Sequence, residues 1–259
     1  MAVHKSTVLL LRCQDWSESS QVVHLLAREV GRLRCLAKGS RRGQNPFSGP
    51  LDRWTLGEAV FSLTDPNRLA TLMELYEMER FDGVRRRLPA FYGASLVTEM
   101  VLALVPEAQP QPETFDAVVQ ALGLLAAVEP EACRAVALAA AWRLLAILGY
   151  CPALDRCVEC QRPLEAGKPV DWSAGLGGPV CPAHRPPDSA SPRRPPGETT
   201  GSHRLSAKAA ACVAFLLTAE WNEVRRVRLT EATAREIRAV LGARVEELAG
   251  KKLTALRYV

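Results

Sequence analysis

Cys-Val-Glu-Cys at residues 157–160 and Cys-Pro-Ala-His at 181–184 stand twenty residues apart in a chain of 259 residues. Two intervening residues let a tight turn aim both side chains at one tetrahedral metal, and the segment between the pairs loops out and returns with the second. Cys157, Cys160, Cys181 and His184 therefore read as a Cys3His set for one structural zinc ion. Gly175, Gly177 and Gly178, just before the second pair, permit the backbone turns of such a knuckle. Cys151 lies six residues before Cys157 and competes with His184 for the fourth place, but its spacing is not that of a knuckle and it is left out. Four protein ligands, mostly thiolate, close a zinc site and lower its Lewis acidity. A zinc deaminase would carry His-x-Glu ahead of its Pro-Cys-x-x-Cys, and no His-x-Glu occurs here. The metal is read as a staple, with a zinc-dependent nucleic-acid hydrolase or deaminase as the alternative.

A second stretch that could do chemistry is GRLRCLAKGSRR, residues 31–42. Side chains alternate between the faces of a strand, which places Leu33, Cys35 and Ala37 on one side and Arg32, Arg34, Leu36 and Lys38 on the other. The first set suits a barrel interior. The second runs into Gly39, Ser40, Arg41 and Arg42, where glycine allows close approach to a phosphate and the cations supply charge. No acidic residue falls between Arg32 and Leu51, whereas a merely solvated face mixes signs. Residues 1–50 hold eight basic and three acidic side chains, an excess equal to the +5 of the whole chain. Such a local field suits a polyanion such as nucleic acid, and Arg32, Arg34, Lys38, Arg41 and Arg42 are the residues expected to contact it. Trp16, Phe47 and Trp54 are the few aromatic platforms, so binding should rest on phosphates with weak sequence preference.

The elements that must position these residues fall into two patterns. Thr7–Arg12, Gln21–Ala27, Leu33–Lys38, Trp54–Leu63 and Arg68–Leu75 read as five short strands separated by turn formers, which predicts a small barrel of the OB type over residues 1–80, an SH3-like barrel being the similar alternative. From 81 to 150 the period becomes helical, over Phe91–Val105, Thr114–Val128 and Glu131–Leu148, the last apolar almost all round and hence central to a bundle. The metal segment, 151–185, follows. Residues 186–204 read as a Pro-rich flexible link. Helices resume in 205–259, from an N-cap at Ser206 to Glu220 and from Thr230 to Leu248, with Gly250 as the stop. The fold class is thus α+β: a five-stranded barrel, then a helical domain interrupted by a zinc knuckle. Cys13, Cys35, Cys133 and Cys212 lie alone in apolar stretches as small buried hydrophobes. The first apolar run is broken at Arg12 and no other stretch approaches a membrane span, so the expected place of work is the cytoplasm.

DWSESSQVVHLLAREVGRLRCLAKGSRR resembles the N-terminal segment of the RecO family of bacterial recombination and repair mediators. RLLAILGYCPALDRCVEC is similar to that family's central helix running through a Leu-Gly-Tyr-x-Pro turn into the first metal pair, and GLGGPVCPAH and LAGKKLTALRYV follow in the same order. The sequence departs from the family at Ala140, Ala141 and Trp142, and in a longer, more proline-rich link. The resemblance implies an OB domain, a helical domain with a zinc site, and no other cofactor. It also implies binding of single- and double-stranded DNA, annealing of complementary strands coated by the single-strand binding protein SSB, and action with RecR in loading RecA. The acidic, apolar-ended tail of SSB would need an apolar groove with basic rims on the helical domain.

Overall fold

Alternation of apolar and polar side chains through the first eighty positions closes a sheet on itself. The computed structural model describes residues 2–47, 49–63, 69–185 and 202–259. Its first unit comprises Met1–Arg86 with Val105–Ala126. Strands β1 (Ala2–Asp15), β2 (Gln21–Ala27), β3 (Gly31–Ala37), β4 (Leu56–Leu63) and β5 (Ala70–Glu79) form a closed barrel in the order β1-β2-β3-β5-β4. All neighbours are antiparallel except β3 and β5, which run parallel over Cys35–Ala37 and Ala70–Leu72. This is the OB arrangement. Val8, Leu10, Val23, Leu25, Leu33 and Cys35 fill the interior with Phe61 and Leu72. The expected strand start at Arg68 lies outside the described residues; β5 begins at Ala70 and continues to Glu79, four residues beyond the expected end.

Residue 11 breaks the pairing of β1 with β2: Leu10 faces Leu25 but Arg12 faces His24, so Leu11 is an extra, bulged residue. A bulge inverts the alternation beyond it. Arg12, which simple alternation from Leu10 would send inward, is thereby exposed beside His24.

The short helix α1 (Asp82–Arg86) and the helix α3 (Pro112–Ala127), which reads as part of a separate helical domain, both group with the barrel through residue 126. The connection before α3 seals the barrel: Ala108 N–H donates to the Arg32 carbonyl at 2.9 Å. A Cβ on Gly31, which sits at φ +93°, would lie 2.0 Å from the carbonyl oxygen of Gln109. Only glycine fits there.

The second unit comprises Arg87–Leu104 with Ala127–Val259. Its helices are α2 (Leu88–Leu104), α4 (Pro130–Ile147), α5 (Ala207–Thr218), α6 (Trp221–Val224) and α7 (Glu231–Ala249). α4 is buried on nearly all sides, as its composition predicts, and Trp142 within it meets Trp172 edge to face at 5.8 Å. Ser206 and Thr230 cap their helices by accepting from the N–H groups of Ala209 and Thr233, and Gly250 ends α7 in the left-handed region at φ +63°. Residues 186–201 of the expected link lie outside the described residues. Its last positions are not a link: β8 (Ser202–Leu205) pairs with β6 (Val170–Ser173), which in turn pairs with β7 (Gly178–Val180). No helix among the described residues is long and apolar enough to cross a membrane.

Candidate metal centre and nucleic-acid interface

Cys157 opens a tight turn, donating its N–H to the Arg162 carbonyl and accepting from Gln161 N–H, both at 2.9 Å. Gln161 closes that turn from the left-handed region at φ +59°. Cys181 precedes a 3₁₀ turn, Pro182–His184, and accepts from His184 N–H at 2.9 Å. The two turns are sewn together by Val158 N–H donating to the Pro179 carbonyl at 2.9 Å. A Cβ on Gly178 would come within 2.3 Å of Val158 Cγ1, so glycine is what allows this approach.

The ligand atoms of Cys157, Cys160, Cys181 and His184 all lie within 4.8 Å of one another. Cys160 Sγ is 3.8 Å from Cys181 Sγ, and His184 Nδ1 is 3.8 Å from Cys157 Sγ and 3.2 Å from Cys181 Sγ. A tetrahedron built on metal–sulfur bonds of about 2.3 Å has edges of about 3.8 Å, so the four residues fit a single tetrahedral ion. Burial pushes the Cys157 thiol up, but the N–H groups of Cys160, Cys181 and Glu159 around its sulfur outweigh that and bring it down to about 6. The bond between Cys181 and His184 lowers the first and raises the second. Surroundings that favour thiolate favour metal binding. Burial pushes the isolated thiols of Cys13 and Cys35 up to about 12, and raises those of Cys133, Cys151 and Cys212. The Cys151 sulfur faces its neighbour's carbonyl, Pro152 O, at 3.7 Å and is not in the ligand group.

The five cations expected on the barrel do not share one environment. Along β3, Leu33, Cys35 and Ala37 are buried in the barrel while Arg34, and Lys38 just after the strand, are exposed. Arg32 is different. Its Nε donates to the Val105 carbonyl at 2.8 Å and its Nη1 to Glu107 at 3.1 Å, leaving 15% of its side chain exposed. The guanidinium is held inside the unit by a segment 73 residues further along the chain, and its expected place among the phosphate contacts is withdrawn for that reason. Arg34 shares the same carboxylate at 3.2 Å but is 44% exposed. Arg41 pairs with Asp15 at 3.1 Å and its N–H donates to the Ser19 carbonyl, also at 3.1 Å. Lys38 and Arg42 are exposed and make no ion pair among the described residues.

The loop that carries these cations is pinned rather than loose. Ser40 donates to Gln21 Oε1 at 3.0 Å, which also accepts from Leu51 N–H at 2.8 Å, and Gly39 N–H donates to Ser20 Oγ at 3.1 Å. Phe47 and Leu51 insert into the barrel core. Phe47 and Trp54 are 2% and 1% exposed, so neither can stack on a base; Trp16 is 70% exposed in the neighbouring turn and can. Sequence alternation missed Arg12 and His24, which lie across from each other and from Arg34 on the outer face of β1, β2 and β3. The surface that results is Arg12, His24 and Arg34 in one row, continued by Lys38, Arg41 and Arg42, with Trp16 beside it.

Comparison with known proteins gives two family-model matches: "Recombination protein O N terminal" over residues 1–78 and "Recombination protein O C terminal" over residues 85–257. A protein of Anaeromyxobacter dehalogenans named DNA repair protein RecO is 32% identical over 260 residues, covering 98% of this chain and 95% of that one. Proteins of the same name from Pelotomaculum thermopropionicum and Rhodopirellula baltica are 34% and 35% identical over 181 and 184 residues, each covering 70% of this chain and 68% and 67% of theirs.

Proposed function

The chain belongs to the recombination protein O family of DNA repair proteins, and from that premise we propose that it is a non-enzymatic, DNA-binding recombination mediator. It binds single- and double-stranded DNA through the outer face of its barrel, anneals complementary strands coated with SSB, and helps RecR load RecA at the nucleoid in the cytoplasm. The observation that carries this reading is the row of exposed cations Arg12 on β1, Arg34 on β3, and Lys38, Arg41 and Arg42 on the pinned loop, with the Trp16 indole beside it. Cations screen the repulsion between two phosphate backbones, which is the barrier to pairing, and no covalent step is needed.

The Cys3His set holds one zinc ion, since mixed thiolate and imidazole donors at tetrahedral spacing favour zinc. With all four positions taken by protein, the ion acts as a staple. It stands in for a core around the ligands, where the buried cluster is small: Val180 beside Cys157 and Cys181, with Val158 and Leu164 packed on them. In the second unit, a groove of about 530 Å³ is lined by the apolar Leu88, Tyr92 and Leu229 and by Arg228 and Arg134, the latter paired with Glu231 at 2.9 Å, with Glu131 among them. That chemistry suits the acidic, apolar-ended tail of SSB.

The test is an annealing assay on complementary strands precoated with SSB. The protein accelerates pairing, and substitution of Lys38, Arg41 and Arg42 by alanine removes most of the acceleration. No acceleration by the unmutated protein overturns the reading.

A further inference from the structure

Helix α7 carries Arg235, Ala239, Gly242, Ala243 and Glu246 at the spacing of one helical face. The turn at Gly250 brings the chain back, so that Lys252 and Arg257 share with this face, and with His203 of β8, an open groove of about 440 Å³. Arg235 of α7 and Lys252 and Arg257 of the returning chain converge there, burial lowers the pKa of His203, and Glu246 is the one carboxylate in the lining among the described residues.

These cations are available, and the chain that carries two of them is anchored. Arg235, Lys252 and Arg257 are exposed. The Lys252 ammonium is 3.9 Å from Glu246 with its side chain 82% exposed, a weak pairing. The Arg257 guanidinium lies over the Tyr258 ring at 4.6 Å. Arg238 is the exception, because it is bound to Glu231 and to the Val259 carbonyl and anchors the returning chain. The anchoring continues at Ala255, whose N–H donates to Glu99 at 3.0 Å, and at Leu256, which is buried. The tail is therefore a fixed wall of the groove.

Resting on the DNA-binding reading of the barrel, we infer that this groove is a second phosphodiester-binding surface, which takes one nucleic-acid strand while the barrel holds another. From Arg235 to Glu246 the helix runs about 16 Å, room for several successive phosphates; Ala239, Gly242 and Ala243 line the helix side, Leu253 and the buried Leu256 the tail side, with cations spread along the groove. A chain of evenly spaced negative charges fits this better than an acidic peptide, whose apolar residues would need a deeper pocket. Annealing gives the second surface a purpose, since two strands held by one protein meet at high effective concentration.

The test uses the full chain to bridge two non-complementary strands, one immobilised and one fluorescent, so that pairing cannot contribute. The variant Arg235→Ala/Lys252→Ala/Arg257→Ala holds the first strand within about twofold of wild type but captures the second at least about tenfold less well. Its capture also depends less on salt, the log–log slope falling by about 2 when three cations are removed from a single-strand site. Ala239→Glu, which adds a carboxylate to the groove and removes no anchor, produces the same loss; circular dichroism and metal content show that both variants are folded. Unchanged capture of the second strand in these variants overturns the inference. So does a loss confined to binding of a polyglutamate peptide. If Lys38→Ala/Arg41→Ala/Arg42→Ala keeps full affinity for the first strand, the barrel reading fails while the groove is judged separately by its own variants; a wild-type protein that holds no strand at about 50 mM salt overturns both.

Discussion

Arg32 and Glu107 are 75 residues apart in sequence, yet Nη1 of the arginine donates to the carboxylate at 3.1 Å and the two backbones form a parallel bridge. An arginine that alternation assigns to the outer, cationic side of β3 is thus a fastener between the barrel and the segment that leads into α3. Arg32→Ala should cost about 1.5–3 kcal/mol of stability, as expected for charged hydrogen bonds in a partly buried site, and change DNA affinity little. Denaturant unfolding and fluorescence anisotropy measure the two effects. A large loss of DNA affinity at unchanged stability would return Arg32 to the binding surface.

Lys38, Arg41 and Arg42 should behave in the opposite way. All three are exposed, and Asp15 is the single carboxylate paired with any of them among the described residues. Replacing all three with alanine should flatten the salt dependence of single-strand binding by about 2 in log–log slope, at about 0.7 for each phosphate that is no longer neutralised. Thermal stability should hardly move. A slope equal to that of the wild type would mean that the phosphates are held elsewhere.

Trp16 makes a separate contribution. An indole that is 70% exposed beside a cationic loop can stack on an unpaired base but has nothing to stack on in an intact duplex. Trp16→Ala should weaken single-strand binding by about 1–3 kcal/mol, the usual value for base–aromatic stacking, and leave duplex binding nearly unchanged. Tryptophan fluorescence of the wild type should be quenched on adding single strands. Equal losses for single and double strands would point to a packing role instead.

Removal of the metal should be local in its effect. Cys160→Ser or chelation should release one equivalent of zinc per chain and loosen the lobe, because few apolar side chains surround the ligands. The barrel belongs to the other unit and has its own core, so single-strand binding should persist. Metal analysis and limited proteolysis, which should cut within 151–185 first, check this together. Loss of DNA binding in step with loss of metal would give the zinc a larger part.

What could be read in the sequence follows from where periodicity exists. The five strands of the barrel, the all-round apolar α4, the cap at Ser206 and the grouping of Cys157, Cys160, Cys181 and His184 each rest on a local pattern, and the structure has each of them, with strand ends displaced by a few residues at β1 and β5. Strands β6, β7 and β8 are three or four residues long, too short for alternation to register. The end of a proline-rich stretch gives no sign that it will pair with β6. Arg12 was hidden by a bulge, and the carboxylate that captures Arg32 comes from a distant segment, so a charge count over a window of fifty residues could not include it. Aromatic residues in loops are ambiguous for the same reason: Trp16, Phe47 and Trp54 look alike in sequence, and only packing separates the exposed one from the two buried.

His24 gives the surface a dependence on pH. Its Nδ1 is buried without a hydrogen-bond partner among the described residues. Burial lowers its pKa below the ordinary 6.5, and Arg12, Arg32 and Arg34 lower it further against a small opposing pull from Glu107. In the free protein the folded state therefore resists protonation. Between pH 6.5 and the lower folded value the unfolded chain binds more protons, so stability falls as the pH drops through that window and levels off below it. Phosphates laid across the Arg12–His24–Arg34 row reverse the local field and favour the imidazolium. DNA binding should then take up a proton, and affinity should rise as the pH falls from about 7 toward about 5.5. His24→Gln should remove that rise while leaving affinity at about pH 8 near the wild-type value, since the neutral imidazole carries no charge to lose. Anisotropy titrations of both proteins across this range decide the matter: parallel pH profiles would place the strand away from β2, and a profile that flattens only in the variant would put a phosphate beside His24.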